Sequence, residues 1–148
     1  MGAADRAALE HDRVVDITTR GRKSGAPRRT EIWFWRVAGR LYLTGSPGRT
    51  RQWHRNLEAD PHFTLHLKQS AQRDLPAVAR MVRDPGERRR VLARILESID
   101  GSAPDAWAPG APEAARATMR ANLARIAANR ADELPRWEAE SPLVEIRL

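Results

Sequence analysis

The chain has 148 residues, 41% of them apolar and 30% charged, which suits one compact domain able to bury about 70% of its unfolded surface. It contains no cysteine, and this excludes disulfides, thiolate metal sites, thiol nucleophiles and cysteine-held clusters. The net charge of +7 is uneven: residues 20–55 hold ten basic residues against the single acid Glu31, while the other 112 residues sum to −2, so an anionic partner meeting one patch is expected.

Residues 1–10 carry no apolar core of a secretion signal, and no run approaches the roughly 18 apolar residues of a membrane span, so a cytoplasmic protein is expected. The β-branched run 14–19 predicts a strand. Gly21, Gly25 and Pro27 then predict a loop. Residues 29–37 and 40–44 read as a hairpin turning at Ala38-Gly39. Ile32, Phe34 and Arg36 fall on one face of its first arm and Trp33, Trp35 and Val37 on the other, so that arm is expected to be buried on both sides, as in a small barrel. Gly45, Pro47 and Gly48 end the hairpin, and residues 50–59 predict a short helix stopped by Asp60-Pro61.

Phe63, Leu65 and Leu67 alternate as a strand, and 75–82 reads as another with Pro76 near its start. Asp84, Pro85 and Glu87 form a helix-start signature, followed by the stripe Val91, Leu92, Ile95 and Ile99. The Arg88-Arg89-Arg90 run reads as a solvated helix face. Residues 100–112 predict a loop around Trp107, which anchors the loop or caps a pocket. Residues 113–130 predict a second helix with Met119, Leu123, Ile126 and Ala127 on one face, and 143–148 a final strand. Strands, then helices, then a strand give an α+β class in a single domain, 1–148, with a helical insert over about 83–142.

No metal site is expected from the four histidines. His62 and His66 share a strand face but lie about 13 Å apart at ~3.3 Å per residue. Phosphate-loop, dinucleotide-fold and serine-elbow motifs are absent.

The most informative stretch is Thr18-Thr19-Arg20-Gly21-Arg22-Lys23-Ser24-Gly25-Ala26-Pro27-Arg28-Arg29-Thr30. It is a strand running into a glycine-hinged loop whose backbone N–H groups can converge on an anion, with arginine forks suited to phosphate or carboxylate oxygens. A second basic loop follows (Ser46-Pro47-Gly48-Arg49-Thr50-Arg51), then Trp53, Asn56, Leu57, Ala59 and Pro61. In this order and spacing the chain resembles the deazaflavin-dependent nitroreductase family, the coenzyme F420-binding branch of the split β-barrel flavoproteins, over residues 14–82 and 143–148.

The resemblance implies an FMN-binding-like split barrel of mostly antiparallel strands with flanking helices, and an oxidoreductase that moves hydride between coenzyme F420 and a small quinone, enone or nitro compound. It implies that Arg22, Lys23, Ser24, Gly25, Arg28 and Thr30 hold the cofactor's phosphate and tail carboxylates. Thr44, Gly45 and Ser46 would lie beside the ring, and Arg49, Arg51, Trp53 and Asn56 at the second loop. Ser46 is the catalytic candidate, as a hydroxyl near the reacting ring. FMN or FAD is the alternative cofactor. A non-catalytic cofactor-binding protein and a basic nucleic-acid-binding module are the alternative functions, though no recognition-helix motif supports the latter. The expected partners are thus an anionic cofactor and a small substrate, not nucleic acid; a peripheral membrane contact and a homodimer stay open. The chain departs from the family pattern at the short second loop, where Arg51 replaces a proline two residues before the tryptophan. Family nitroreductases also place tyrosines near the substrate late in the chain, whereas this chain has one tyrosine, Tyr42, and none after it.

Overall fold

The computed structural model describes residues 1–99 and 110–148. Six strands close into an antiparallel barrel in the order β1-β2-β3-β6-β5-β4, with β4 returning to β1. They are β1 (Val14–Arg20), β2 (Pro27–Val37), β3 (Arg40–Thr44), β4 (His62–Leu67), β5 (Arg73–Met81) and β6 (Leu143–Arg147). The described helices are α1 (Ala3–His11), α2 (Gln52–Ala59), α3 (Pro85–Ser98), α4 (Glu113–Ala128) and α5 (Arg130–Glu140). The expected loop around Trp107 lies outside the described residues.

Two-residue alternation decides the barrel. Val15 and Ile17 on β1, Phe34 on β2, Leu65 and Leu67 on β4, and Val144 and Ile146 on β6 point inward and meet in one core. The eleven-residue β2 pairs its first seven residues with β1 and its last four with β3. The β2–β3 turn places Ala38 and Gly39 at φ 50° and 74°, the twist that matches a tight hairpin.

Helices stop both barrel ends. At the end where β1 begins, α1 inserts Ala8 and Leu9 into the core. Arg36 reaches up from β2 to donate to the carbonyls of Ala8, Leu9 and Asp12, which are the last groups of α1 and its cap. Its guanidinium also lies 4.7 Å from the Phe34 ring centre. Burial first, then the nearby Arg13 charge, pushes Arg36 down to about 10. At the other end, α2 inserts Trp53 and Leu57.

A second core lies outside the β2–β3–β6 wall. Trp35, Val37, Tyr42 and Leu143 face Val91, Leu92, Ile95 and Leu96 of α3, Leu123 and Ile126 of α4, and Trp137 of α5. Two expectations change here. The helix expected over 113–130 ends at Ala128, and a separate α5 starts at Arg130 across Asn129. Arg88 is not a solvated residue: it donates to Glu138, Ser141 and Val82 carbonyls and so caps α5. Arg130 returns the arrangement by donating to Leu96 and Ile99 carbonyls at the end of α3. Each helix thus sets a cation at the other's negative end.

Candidate cofactor and substrate site

The β1–β2 loop closes on itself. Gly21 N–H donates to Ala26 O at 2.8 Å, Gly25 N–H to Gly21 O at 2.7 Å, and Ala26 N–H to Ser24 Oγ at 3.2 Å. Gly25 needs its left-handed φ of 72°. A methyl at Gly21 would lie 3.1 Å from Ala26 O, tight against backbone that is already hydrogen-bonded. Asn56 on α2 holds this loop in place. Its Nδ2 donates to Thr19 Oγ1 at 3.1 Å, and its Oδ1 accepts from Arg22 N–H and Nη1. Arg22 Nη1 also donates to Gln52 Oε1 at 2.7 Å.

The loop, the start of β2 and α2 enclose a cleft of about 630 Å³. Of the expected site residues it brings together Arg22, Lys23, Ser24, Arg28, Thr30, Trp53 and Asn56. Lys23 and Arg28 are exposed, and among the described residues neither has an acidic partner. Arg22 and Asn56 are committed to protein partners, so their first role is to hold the loop.

Trp53 also lines a second cleft of about 360 Å³, with Thr44, Gly45, Ser46 and Arg51 on one side and Trp33, Trp35, Trp137, Met119 and Leu123 on another. The indole is only 8% exposed and packs into the barrel core as well. Thr44 spends its hydroxyl proton on Pro142 O at 2.5 Å. Trp137 Nε1 donates to buried Glu133, which Arg125 also contacts; this fixes the indole at the cleft wall. Burial acts to raise the Glu133 carboxyl, but the Arg125 and Trp137 hydrogen bonds outweigh it and leave the group below its usual range.

Two expected residues lie elsewhere. Gly25 borders a shallow groove with His62 and Thr64 on the other side of the loop. Arg49 lines a third cleft, of about 430 Å³, with His54, Arg55 and Arg83. Sequence reasoning missed Gln52 and the wall supplied by α4 and α5. Met119, Leu123 and Ile126 do form the helical stripe expected of α4, and that stripe lines the cleft as well as packing. Tyr42 lines neither cleft; it is buried in the second core.

No group of three or more metal-binding side chains converges among the described residues. His66 instead joins Thr18 Oγ1 at 2.7 Å through Nε2 and Asp74 Oδ1 at 2.6 Å through Nδ1. No described helix is long and apolar enough to cross a membrane.

A closed six-stranded barrel with helices over one wall and a two-part cleft at one end defines a split β-barrel protein of the FMN-binding-like kind. The chain belongs to the F420H(2)-dependent quinone reductase family, whose model matches residues 4–105. It is therefore an oxidoreductase with coenzyme F420 as its cofactor. Among solved structures it is similar to a conserved hypothetical protein from Mycobacterium tuberculosis, at 18% identity and TM-score 0.58 over 99% of this chain and 80% of that one. It is also similar to a FAD-binding protein from Mesorhizobium loti, at 16% identity and TM-score 0.55 over 99% and 88%. The heme storage protein HutZ from Vibrio cholerae aligns at 15% identity and TM-score 0.55 over 97% and 86%. These likenesses show the fold alone.

Proposed function

We propose that the chain reduces a small quinone-type acceptor with hydride from the reduced deazaflavin, enones and nitro compounds being electrophiles of the same kind. The observation that carries this is the junction at Trp53, where a cleft whose Arg22, Lys23 and Arg28 have no acidic partner among the described residues opens beside an aromatic one. A deazaflavin has the matching halves, an anionic tail and a flat ring. Lys23 and Arg28, with Ser24 and Thr30 beside them, take the phosphate and tail carboxylates. Thr44, Gly45, Ser46 and Trp53 border the ring, and Ser46 presents a hydroxyl there. The cofactor supplies the hydride chemistry; the protein orients it and excludes water around it.

The test is titration of the purified protein with oxidised deazaflavin, beside FMN, followed by tryptophan fluorescence. The deazaflavin is expected to bind more tightly than FMN. In the Lys23→Ala, Arg28→Ala double variant each lost charge-assisted bond costs about 1.5–3 kcal/mol. Affinity should therefore fall about two to four orders of magnitude. The melting temperature of the free protein should barely move, because both side chains are exposed on a loop. Unchanged affinity would remove this loop from the cofactor site.

A further inference from the structure

The aromatic cleft contains one feature that cofactor binding at the Gly21–Arg28 loop does not use. Its lining is apolar and aromatic apart from a few polar groups, and among the described residues only Glu31 and Arg51 in it carry charge. Glu31 is neutralised by Lys68, which also meets Asp16. Arg51 has no carboxylate partner among the described residues; its one side-chain hydrogen bond there runs from Nη1 to the Ser46 carbonyl at 2.9 Å. That bond fixes the guanidinium while leaving its other N–H groups unused.

The backbone makes room for this arrangement. A methyl group at Gly45 would lie 2.4–2.6 Å from Nε, Cζ and Nη2 of Arg51, so the guanidinium lies flat across the glycine and only glycine permits it. Burial, and then the neighbouring Arg49 charge, lowers the Arg51 pKa, as expected of a cation held in a partly desolvated place with no counter-ion among the described residues.

We infer that Arg51 is a substrate-binding catalytic residue, which holds the oxyanion formed on an aromatic acceptor as it is reduced. The inference rests on the proposed quinone-type acceptor. Addition of a hydride to a quinone delivers two electrons and one hydrogen and leaves the hydroquinone monoanion; a proton from water then completes the hydroquinone. The reduced deazaflavin is the two-electron donor. The negative charge develops on a phenolic oxygen inside an aromatic cleft, and a fixed guanidinium there stabilises the charged product and the transition state leading to it more than the neutral quinone.

The probe is 4-nitrophenol, whose phenolate is coloured and whose phenol is not. It is titrated into the protein without cofactor at a series of pH values, with visible absorbance and tryptophan fluorescence as readouts. Wild-type protein should bind the phenolate in preference to the phenol. Arg51→Met should weaken phenolate binding about ten- to hundredfold while leaving phenol binding and the thermal melt near wild type. Arg51→Lys, which keeps the charge without the planar fork, should retain part of the preference. Gly45→Ala, which displaces the guanidinium without removing it, should mimic Arg51→Met. In the two Arg51 variants deazaflavin affinity should stay within about threefold of wild type.

A phenolate preference that survives Arg51→Met overturns the inference, as does failure of 4-nitrophenol to bind wild-type protein. A loss confined to deazaflavin affinity also overturns it and returns Arg51 to the cofactor. If wild-type protein binds phenolate through Arg51 but no deazaflavin, the proposed cofactor site falls and the oxyanion site stands.

Discussion

Asn56 is 3% exposed, and both ends of its amide are used inside the protein. It ties α2 to the last inward position of β1 and to the first turn of the basic loop, so it shapes the cleft without depending on a ligand. Replacement by alanine strands the Thr19 hydroxyl, itself 2% exposed, and frees the Arg22 backbone. An unsatisfied buried polar group costs about 1–3 kcal/mol, so Asn56→Ala should lower the melting temperature of the free protein by about 3–10 °C. Deazaflavin affinity should fall as well, because the loop carrying Lys23 loses its anchor. The two readouts distinguish Asn56 from Lys23 and Arg28: a melt unchanged with affinity lost would make Asn56 a direct ligand contact instead. The sequence shows an asparagine three residues after a tryptophan on a helix; it does not show that the polar end points back into the protein.

The strands were legible because inward and outward positions alternate along them, and the structure moves their ends by two residues or fewer. The helix start at Asp84 was legible too, and Asp84 Oδ2 accepts the Glu87 N–H at 2.9 Å. The reciprocal bond from Glu87 back to the Asp84 backbone does not form, since the Glu87 carboxylate turns to Arg80 on β5. α1 was not legible. Its sequence, AADRAALEH, offers one large apolar side chain, and its place comes from plugging the barrel and from Arg36 at its far end. The break between α4 and α5 was hidden for a similar reason: Asn129 interrupts a run of good helix formers, and what fixes α5 is its packing on α3 and the exchanged Arg88 and Arg130 caps. Arg80 joins Glu87 to the buried Glu145 on β6, which locks α3 to the barrel wall. The Arg80 hydrogen bond holds the Glu87 carboxyl below its ordinary range although burial opposes it. A carboxyl depressed in the folded state adds stability above its unfolded pKa, near 4.3, and loses it as pH falls through the folded value. Glu87→Gln should therefore melt below wild type at neutral pH, and the gap should narrow between about pH 5 and pH 3. A gap that stays constant over that range would show that this ion pair is not what fastens the helix.

Across the whole molecule, the +9 window seen in the sequence divides into parts that do different work. Arg36 caps α1, Arg29 pairs with Asp16, Arg40 lies near Glu145, Arg22 braces α2, and Arg51 crosses Gly45. Linear charge density overstates the patch because arginines on opposite barrel ends and faces are close in sequence and far apart in the fold. The basic loop of the candidate cleft was legible all the same, since the glycines and proline that expose Lys23 and Arg28 are local signals. The aromatic wall was not, because it is assembled from β2, α4 and α5 only when the insert folds over the barrel. A sharper expectation follows for ionic strength. If all ten basic residues faced the cofactor, affinity would fall steeply with salt and survive the loss of any two. With Arg22, Lys23 and Arg28 as the lining cations that have no acidic partner among the described residues, and Arg22 tied to Gln52 and Asn56, the dependence should be moderate and should shrink when Lys23 and Arg28 are lost. The Debye length shrinks from about 10 Å at 0.1 M salt to about 3 Å at 1 M, which screens exposed contacts and leaves buried ones nearly untouched. Deazaflavin affinity in wild-type protein should therefore decline about tenfold between roughly 0.05 and 0.5 M salt, more for cofactor with a longer glutamate tail. The Lys23→Ala, Arg28→Ala variant should bind weakly, with only the reduced salt dependence and tail-length preference that Arg22 supports. A salt slope that persists undiminished in that variant would place the tail on another surface, with the cleft bearing Arg49, Arg55 and Arg83 the next to be tested. An affinity that is flat in wild-type protein would show that tail charge does not contribute to recognition at all.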